Sequence, residues 1–297
     1  MGEQLIPQLT ADGTYTFFSQ EFGESYHSHF GARQESFQKF VLPTQLEERA
    51  IKPNIRILDI CYGLGYNSAA ALQTIWNINP NCYVELIALE FNPNVPRAAL
   101  SYNLYNKWGF ASDCVDILAI LTALADNFNV QNDNLKASLL IGDARTTIQQ
   151  VLELGFQADA IFLDPFSPPQ CPQLWTIEFL ALISRCLHSE GLLATYSCAA
   201  AVRTSLLTSG LIIASTPPVG RKTPGTVATH LASERLLKQH NRMSIPELEH
   251  LNTRAAIPYR DPLLNDQPQI ILKRRQLEQL SSTLEPTSRW RKRWLSN

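Results

Sequence analysis

Four acidic residues stand where an α/β protein usually does its chemistry. Asp59, Glu90, Asp143 and Asp164 fall at or just past the ends of four consecutive apolar runs, 55–60, 83–90, 138–141 and 158–163. Ligands of open α/β sheets lie outside the carboxyl ends of the strands, so one carboxylate per strand points to one shared site. Glu90 is placed to accept both hydroxyls of a ribose, and Asp59 or a neighbouring carbonyl to accept an amino group. Asp143 can accept from an adenine amino group or cap the helix that starts at Ala144; both roles are compatible. Asp164 opens the stretch Asp164-Pro165-Phe166-Ser167-Pro168-Pro169. Its carboxylate and the Pro165 carbonyl can hold the hydrogens of an amine, aim its lone pair and take up the released proton. Phe166 offers a face on which a planar base can stack. The competing reading of this stretch is a proline-rich turn with a capping aspartate.

Directly after the first run comes Tyr62-Gly63-Leu64-Gly65-Tyr66-Asn67. Gly63 and Gly65 permit a tight turn and a close backbone approach. Dinucleotide-binding loops carry a third glycine that brings a helix up to a pyrophosphate, and here that position is Ser68. S-adenosylmethionine (SAM) has no phosphates and needs only room, a ribose acceptor and a partner for its amino group. Gly-x-Gly alone also fits dehydrogenases; Glu90 and Asp143 on the next two strands favour SAM. The candidate cofactor contacts are Asp59, Tyr62, Gly63, Gly65, Asn67, Glu90, Asp143 and Ala144. The six cysteines are scattered without a Cys-x-x-Cys pair, and no metal is expected. No second glycine-rich fingerprint occurs, and no FAD is expected.

These residues require a framework of strands and helices in alternation. Strands are predicted at 14–18, 55–60, 83–90, 138–141, 158–163, 191–196, 211–215 and 226–232. Helices are predicted at 35–42, 68–78, 95–106, 114–127, 144–154, 176–187 and 199–209. Continuous apolar strands separated by helices mean a parallel sheet covered on both faces. Pro217, Pro218, Gly220, Pro224 and Gly225 join the last two strands without a helix, so that pair is antiparallel. The fold class is therefore α/β, a Rossmann-like methyltransferase sheet of seven strands with the last antiparallel. A short N-terminal β or lid region precedes it and a basic extension follows. The expected division is 1–52 (lid and substrate region), 53–235 (methyltransferase domain) and 236–297 (C-terminal extension).

At 45% hydrophobic and 18% charged residues the composition is that of a globular chain with a real core. No apolar run is long enough to span a membrane, and the first residues lack a signal peptide's basic and apolar regions. A cytoplasmic protein with reduced thiols is expected, with no membrane partner and no obligate protein partner. Net charge is −2, but residues 1–216 carry 11 Lys+Arg against 20 Asp+Glu, while 217–297 carry 14 against 7. A basic third on an acidic body suits an anionic partner; the alternative is a solvated helix face. Trp290 and Trp294 interleave with Arg289, Arg291, Lys292 and Arg293, which suits base stacking and phosphate contact. Spaced four apart, the two tryptophans can equally dock on the body. Trp175 reads as a core aromatic in preference to a substrate contact.

The combination resembles a family. Tyr62-Gly63-Leu64-Gly65-Tyr66-Asn67, Leu163-Asp164-Pro165-Phe166-Ser167-Pro168 with Pro172 and Trp175, and Gly220-Arg221-Lys222 are similar to the methyltransferase domain of the tRNA 5-methylaminomethyl-2-thiouridine biosynthesis bifunctional protein and its stand-alone relatives. Gly23-Glu24-Ser25-Tyr26-His27-Ser28, Gly31-Ala32 and Glu35 add to the likeness, which covers roughly residues 10–235. This chain has Asp164-Pro165-Phe166 where members commonly carry Asp-Gly-Phe or similar. The resemblance implies methyl transfer from SAM to the aminomethyl nitrogen of a modified wobble uridine, with the tRNA anticodon region as partner. It makes Asp164 the residue that handles the amine. Pro165, Phe166, Tyr26, His27, Arg221 and Lys222 are the candidate substrate contacts. The oxidase step of the bifunctional proteins is not implied. Two other readings stay open: an aminopropyltransferase like spermidine synthase, whose start resembles Gly-Glu-x-Tyr-His, and a non-catalytic SAM- or RNA-binding protein.

Overall fold

The computed structural model describes residues 5–110, 116–220 and 223–295. The chain begins with a small antiparallel sheet, β1 (Ile6–Leu9), β2 (Tyr15–Ser19) and β3 (Glu24–Ser25), with β2 in the middle. A short helix α1 (Ala32–Glu35) runs without a break into a π-helical turn, Ser36–Val41, and α2 (Leu46–Arg49) follows. The wider π turn gives this segment a register that a regular helix over 35–42 would not have.

The main sheet is built from β4 (Asn54–Ile60), β5 (Tyr83–Glu90), β6 (Asn129–Asn132), β7 (Leu135–Ile141), β8 (Ala158–Leu163), β9 (Leu187–Thr195), β10 (Leu211–Ser215) and β11 (Thr226–His230). Helices α3 (Tyr66–Ile78), α4 (Asn94–Ser101), α5 (Ile117–Asn127), α6 (Ala144–Glu153), α7 (Ile177–Cys186) and α8 (Ala200–Thr208) connect them. The strand order is β10-β11-β9-β8-β4-β5-β7-β6. The strands from β9 through β8, β4 and β5 to β7 are mutually parallel, and β11 is antiparallel to both β9 and β10. Along β4, Ile55 and Ile57 join the core on one face, and Leu58 and Ile60 join the core on the other. Helices therefore cover both faces, as the unbroken apolar runs require.

The sheet has eight strands where seven are expected. The addition is β6, which pairs antiparallel with β7 at the edge. Its sequence, Asn-Val-Gln-Asn, is polar and mostly exposed, so it carries no apolar alternation to find. Helix α4 stops at Ser101, short of the expected 106, and the chain turns at Asn103 with φ 53°. Beyond the turn Tyr105 and Trp108 pack with Tyr66 in an aromatic cluster, and that packing overrides helical continuation.

After β11 the chain folds back on the body through α9 (Ile245–His250), α10 (Pro268–Ser281) and α11 (Thr287–Trp294). Buried Arg203 of α8 pairs with Glu247 at 2.8 Å, and Tyr259 bridges the start of α7 through its backbone. Trp290 is buried, stacks on His250 at 4.0 Å and donates to the Pro246 carbonyl at 2.9 Å. Trp294 donates to Glu249 at 2.8 Å. Both indoles thus pack against α9, within the C-terminal segment itself, and not against the main domain. Among the described residues no helix is long and apolar enough to cross a membrane.

Candidate functional site

The chain leaves the centre of the main sheet to one side through β5 and β7, then returns to the other side through β8 and β9. The crevice at that switch, beyond the ends of β4, β5 and β8, is where ligands of such sheets bind. A cavity of about 780 Å3 opens there. That lies within the usual ~300–1,000 Å3 of small-molecule sites.

The glycine loop forms one wall. Cys61, Gly63 and Gly65 all take positive φ, at 69°, 54° and 80°. A Cβ on Gly65 would sit 2.5 Å from the Tyr62 hydroxyl and 2.8 Å from that of Tyr105, so the loop's own aromatics exclude a side chain there. Gly63 lies on the cavity itself, and its N–H donates to Glu90 at 2.8 Å. The other Glu90 oxygen accepts from the Asn92 N–H at 2.8 Å. Burial pushes the Glu90 pKa up, against these two backbone donors and that of Phe91. A carboxylate has about four acceptor sites, so room remains to accept from a ribose hydroxyl.

Asp59 lies deeper than expected. It is fully buried under the loop, accepts from Ser68 at 2.7 Å and does not line the cavity. Burial raises its pKa to about 7, and its Oδ1 finds no hydrogen-bond partner among the described residues. As placed, it braces the start of α3 from below. Tyr62 and Asn67 line a small void of about 20 Å3 beside Asp164, separate from the main cavity, and Gly65 lines neither space. Asp143 and Ala144 are on the cavity wall. Asp143 caps α6 by accepting from the Arg145 N–H at 2.9 Å, and its carboxylate also pairs with the Arg145 guanidinium at 2.7 Å. Arg145 reaches on to fully buried Asp261 at 2.8 Å and to the Asp266 carbonyl at 2.9 Å. Gln267 and Pro268 complete this wall, so the C-terminal segment borders the site.

The loop after β8 forms the opposite end. Asp164 opens on the cavity, and Asn67 donates to one of its oxygens at 2.9 Å. Desolvation lifts the Asp164 pKa well above the usual carboxylate range, and the Asn67 bond only partly opposes it. The Pro165 carbonyl already accepts from the Tyr196 hydroxyl at 2.9 Å, which leaves one lone pair for an amine. Phe166 is stacked on Phe22 at 4.3 Å and edged by Tyr26 at 5.0 Å. One face of Phe166 is therefore covered by the protein itself, where the sequence suggested a free face for a base. Trp175 is fully buried and donates to the Phe166 carbonyl at 2.9 Å, which pins the loop from beneath.

Tyr26 and His27 both line the cavity. The His27 ring is buried, meets Thr16 at 3.3 Å and tilts on Tyr66 at 5.1 Å. Burial pulls its pKa down to about 4, so it stays neutral near pH 7. Arg221 and Lys222 lie outside the described residues. The cavity thus gathers Gly63, Glu90, Asp143, Ala144, Asp164, Pro165, Phe166, Tyr26 and His27, and leaves Asp59, Tyr62, Gly65 and Asn67 outside its lining.

Several lining residues were not predicted. Glu24 accepts from both the backbone N–H (2.9 Å) and the hydroxyl (2.5 Å) of Ser167, 143 residues away, and so ties β3 over the Asp164 loop. Phe22 adds the stack described above. Glu35 and Lys39 form a buried pair at 2.5 Å on the cavity wall. Only that last pair leaves a local signal, its four-residue spacing.

A family model described as S-adenosyl-L-methionine-dependent methyltransferase matches residues 114–231. An uncharacterized protein of Methanocaldococcus jannaschii is 30% identical over 272 residues, covering 89% of this chain and 71% of that protein. The tRNA 5-methylaminomethyl-2-thiouridine biosynthesis bifunctional protein MnmC of Aromatoleum aromaticum is 31% identical over 209 residues, 68% of this chain. The match covers 32% of that protein, so the chain spans about a third of its length. The crystal structure of MnmC2 from Aquifex aeolicus matches with a TM-score of 0.80 and 35% identity, over 95% of this chain and 87% of that one.

Proposed function

Because the chain belongs to the SAM-dependent methyltransferase family that contains MnmC2 of Aquifex aeolicus, we propose that it methylates the aminomethyl nitrogen of a 5-aminomethyl-(2-thio)uridine at the wobble position of tRNA. Glu90, with Gly63 and the Asp143–Ala144 turn, would hold SAM, which supplies a methyl carbon already activated on a sulfonium. With so reactive a donor, the protein's task is to present the acceptor nitrogen with a free lone pair, in line and away from water.

Asp164 carries that task. Asn67 fixes one of its oxygens, and the rest of the carboxylate faces the cavity. A carboxylate with a raised pKa is a competent proton acceptor near neutral pH. It accepts a hydrogen from the amine nitrogen and turns the lone pair toward the donor. It then takes the proton that the nitrogen must lose. The Pro165 carbonyl, itself steadied by Tyr196, accepts the second hydrogen.

The single observation behind this reading is the state of the carboxylates on the cavity wall. Glu24 is occupied by Ser167, Glu35 by Ser28 and Lys39, Glu90 by backbone N–H groups and Asp143 by Arg145, and Glu21 on the same wall is likewise engaged. Among the described residues the Asp164 carboxylate accepts a hydrogen bond only from Asn67. That supports one amine held at one point, not an extended polyamine, which an aminopropyltransferase would need. The exposed basic residues Lys273, Arg289 and Lys292 of the C-terminal segment support a tRNA partner through phosphate contacts. The test is incubation with methyl-labelled SAM and tRNA carrying 5-aminomethyluridine at the wobble position. Label is expected on that base, and a wobble base without label overturns the proposal.

A further inference from the structure

We propose that Lys39, held by Glu35, donates a hydrogen bond to the C4 carbonyl oxygen of the acceptor base and so selects a uracil-type base; this rests on the amine-transfer reading above. Lys39 and Glu35 are 8% and 6% exposed, and both line the cavity. Desolvating two charges is costly, and an apolar pair of the same volume would often stabilise as much. Their place on a cavity wall is therefore better explained by a ligand than by folding.

The arrangement is asymmetric. Glu35 is fully engaged: Oε2 accepts from the Ser28 N–H at 3.1 Å, and Oε1 accepts from both the Ser28 hydroxyl and Lys39 Nζ. An ammonium has three donors. Among the described residues Glu35 is the one acceptor that Lys39 meets, at 2.5 Å. Glu35 thus anchors the ammonium and leaves donors for something else at the wall.

Position relative to Asp164 narrows what that is. Phe40, the next residue on the π turn, packs edge-on against Phe162 of β8 at 5.8 Å. Phe162 shares a core with α3, and Asn67 of α3 bonds the Asp164 carboxylate just past the end of β8, so both lie on the same side of the sheet. The π turn therefore overlies the side on which Asp164 lies, and the charges of both Glu35 and Lys39 act on Asp164. On a pyrimidine the C5 substituent is adjacent to the C4 oxygen. A base whose aminomethyl nitrogen is held by Asp164 presents its C4 oxygen as the nearest acceptor on the ring. A cytosine-type base carries an amino group there, a donor that would face a cation. A site built to donate to one ring substituent rejects an analogue that lacks the acceptor.

The experiment compares kcat and KM for two tRNAs, carrying 5-aminomethyluridine or 5-aminomethylcytidine at the wobble position, with wild type, Lys39→Met, Lys39→Arg and Glu35→Gln. SAM affinity is measured in parallel by calorimetry. Wild type is expected to prefer the uridine substrate. Lys39→Met is expected to lose about 10- to 100-fold in kcat/KM on it, mainly through KM, as for the loss of a charged hydrogen bond. Its preference over the cytidine substrate collapses while SAM affinity is unchanged. Lys39→Arg recovers part of the preference, and Glu35→Gln, which frees the ammonium, weakens it. Should Lys39→Met fail to fold, Lys39→Arg and Glu35→Gln give the same reading, and a preference unmoved in both overturns the assignment. Labelling by wild type with an undiminished preference in Lys39→Met overturns this inference alone. Wild type that labels neither base overturns the amine-transfer reading, and this inference with it.

Discussion

The two ends of the cavity are closed by segments outside the main sheet, and they are held in opposite ways. Over the acceptor end lies the N-terminal β1–β3 sheet. It touches the Asp164 loop through the Phe22–Phe166 stack, the Tyr26 edge contact and the Glu24–Ser167 bonds. Behind the cofactor end lies the C-terminal segment. There, fully buried Asp261 takes Arg145 on one oxygen and the Asn265 and Asp266 N–H groups on the other, and Tyr259 forms a backbone bridge with Thr176. The first closure is made of side chains on a partly exposed surface. The second is welded by backbone bonds and buried charge. A substrate as large as the proposed tRNA would have to approach one end, and a cofactor needs the other end rigid. The construction of each closure matches that division.

The largest expected effect lies between the two. Asp164→Asn should lower kcat by about 10²- to 10⁴-fold, the usual range for loss of a general base. Calorimetry should find SAM binding within a factor of about two. An equal loss of SAM affinity would show that the acceptor and cofactor ends do not work separately. Next is the C-terminal brace. Asp261→Ala strips Arg145 of a buried partner and leaves two backbone N–H groups without an acceptor. Urea unfolding should show a loss of about 3 kcal/mol, as for breaking a buried pair. A loss below about 1 kcal/mol would mean the brace is no better anchored than the roof.

This contrast between the ends was only half legible in the sequence. The bounds of β5, β8 and β10 coincide with apolar runs, because strands buried on both faces can be made only of such residues. The glycine loop and the acidic strand ends follow from chain order, since the topology delivers successive strand ends to one crevice. The depth of those carboxylates does not follow. Asp59 and Glu90 both stand at strand ends, yet Ser68 draws Asp59 under the loop while Gly63 holds Glu90 at the wall. Nor does the roof follow, because Glu24 and Ser167 meet across 143 residues and leave no local pattern. The basic C-terminal third was legible as charge but not as structure. Arg275 bonds the Ile257 carbonyl at 2.6 Å and lies 4.5 Å over Tyr259, and Arg293 joins Glu249 and Glu285. Much of that charge therefore builds the brace.

Acid should separate the two ends further. His27 belongs to the roof, and burial lowers its pKa from 6.5 to about 4. The folded state favours the neutral ring, so its contribution is complete above the unfolded pKa of 6.5 and declines as pH falls from there toward 4. At pH 5 the decline amounts to about 2 kcal/mol. Asp59 works in the opposite sense: with its pKa raised to about 7, it loses favour as pH rises from 3.8 toward 7. The total pH profile mixes the two, so the quantity to measure is the difference between wild type and His27→Gln in unfolding free energy at pH 7 and pH 5. The variant should lack about 2 kcal/mol of the wild-type fall. Identical pH dependence in both proteins would place His27 in contact with water and make the roof looser than its packing implies.

The smallest effect isolates the polar tie between the roof and the Asp164 loop. Glu24→Gln keeps the shape but replaces a charge-assisted bond to Ser167 with a neutral one, which is about half as strong. Neither residue is buried as deeply as Asp261, and solvent can satisfy what the variant leaves unpaired. Thermal stability should hardly move. The Asp164 loop, however, would be held less firmly over the acceptor end. KM for tRNA should rise by about tenfold, equivalent to ~1.4 kcal/mol, with kcat and SAM affinity near wild type. Steady-state kinetics on the wobble-modified tRNA reads this directly. A fall in kcat with KM unchanged would instead mean that Glu24 acts on the chemistry at Asp164 and not on the entry of the substrate. The roof would then be part of the reaction centre, as rigid in function as the brace opposite it.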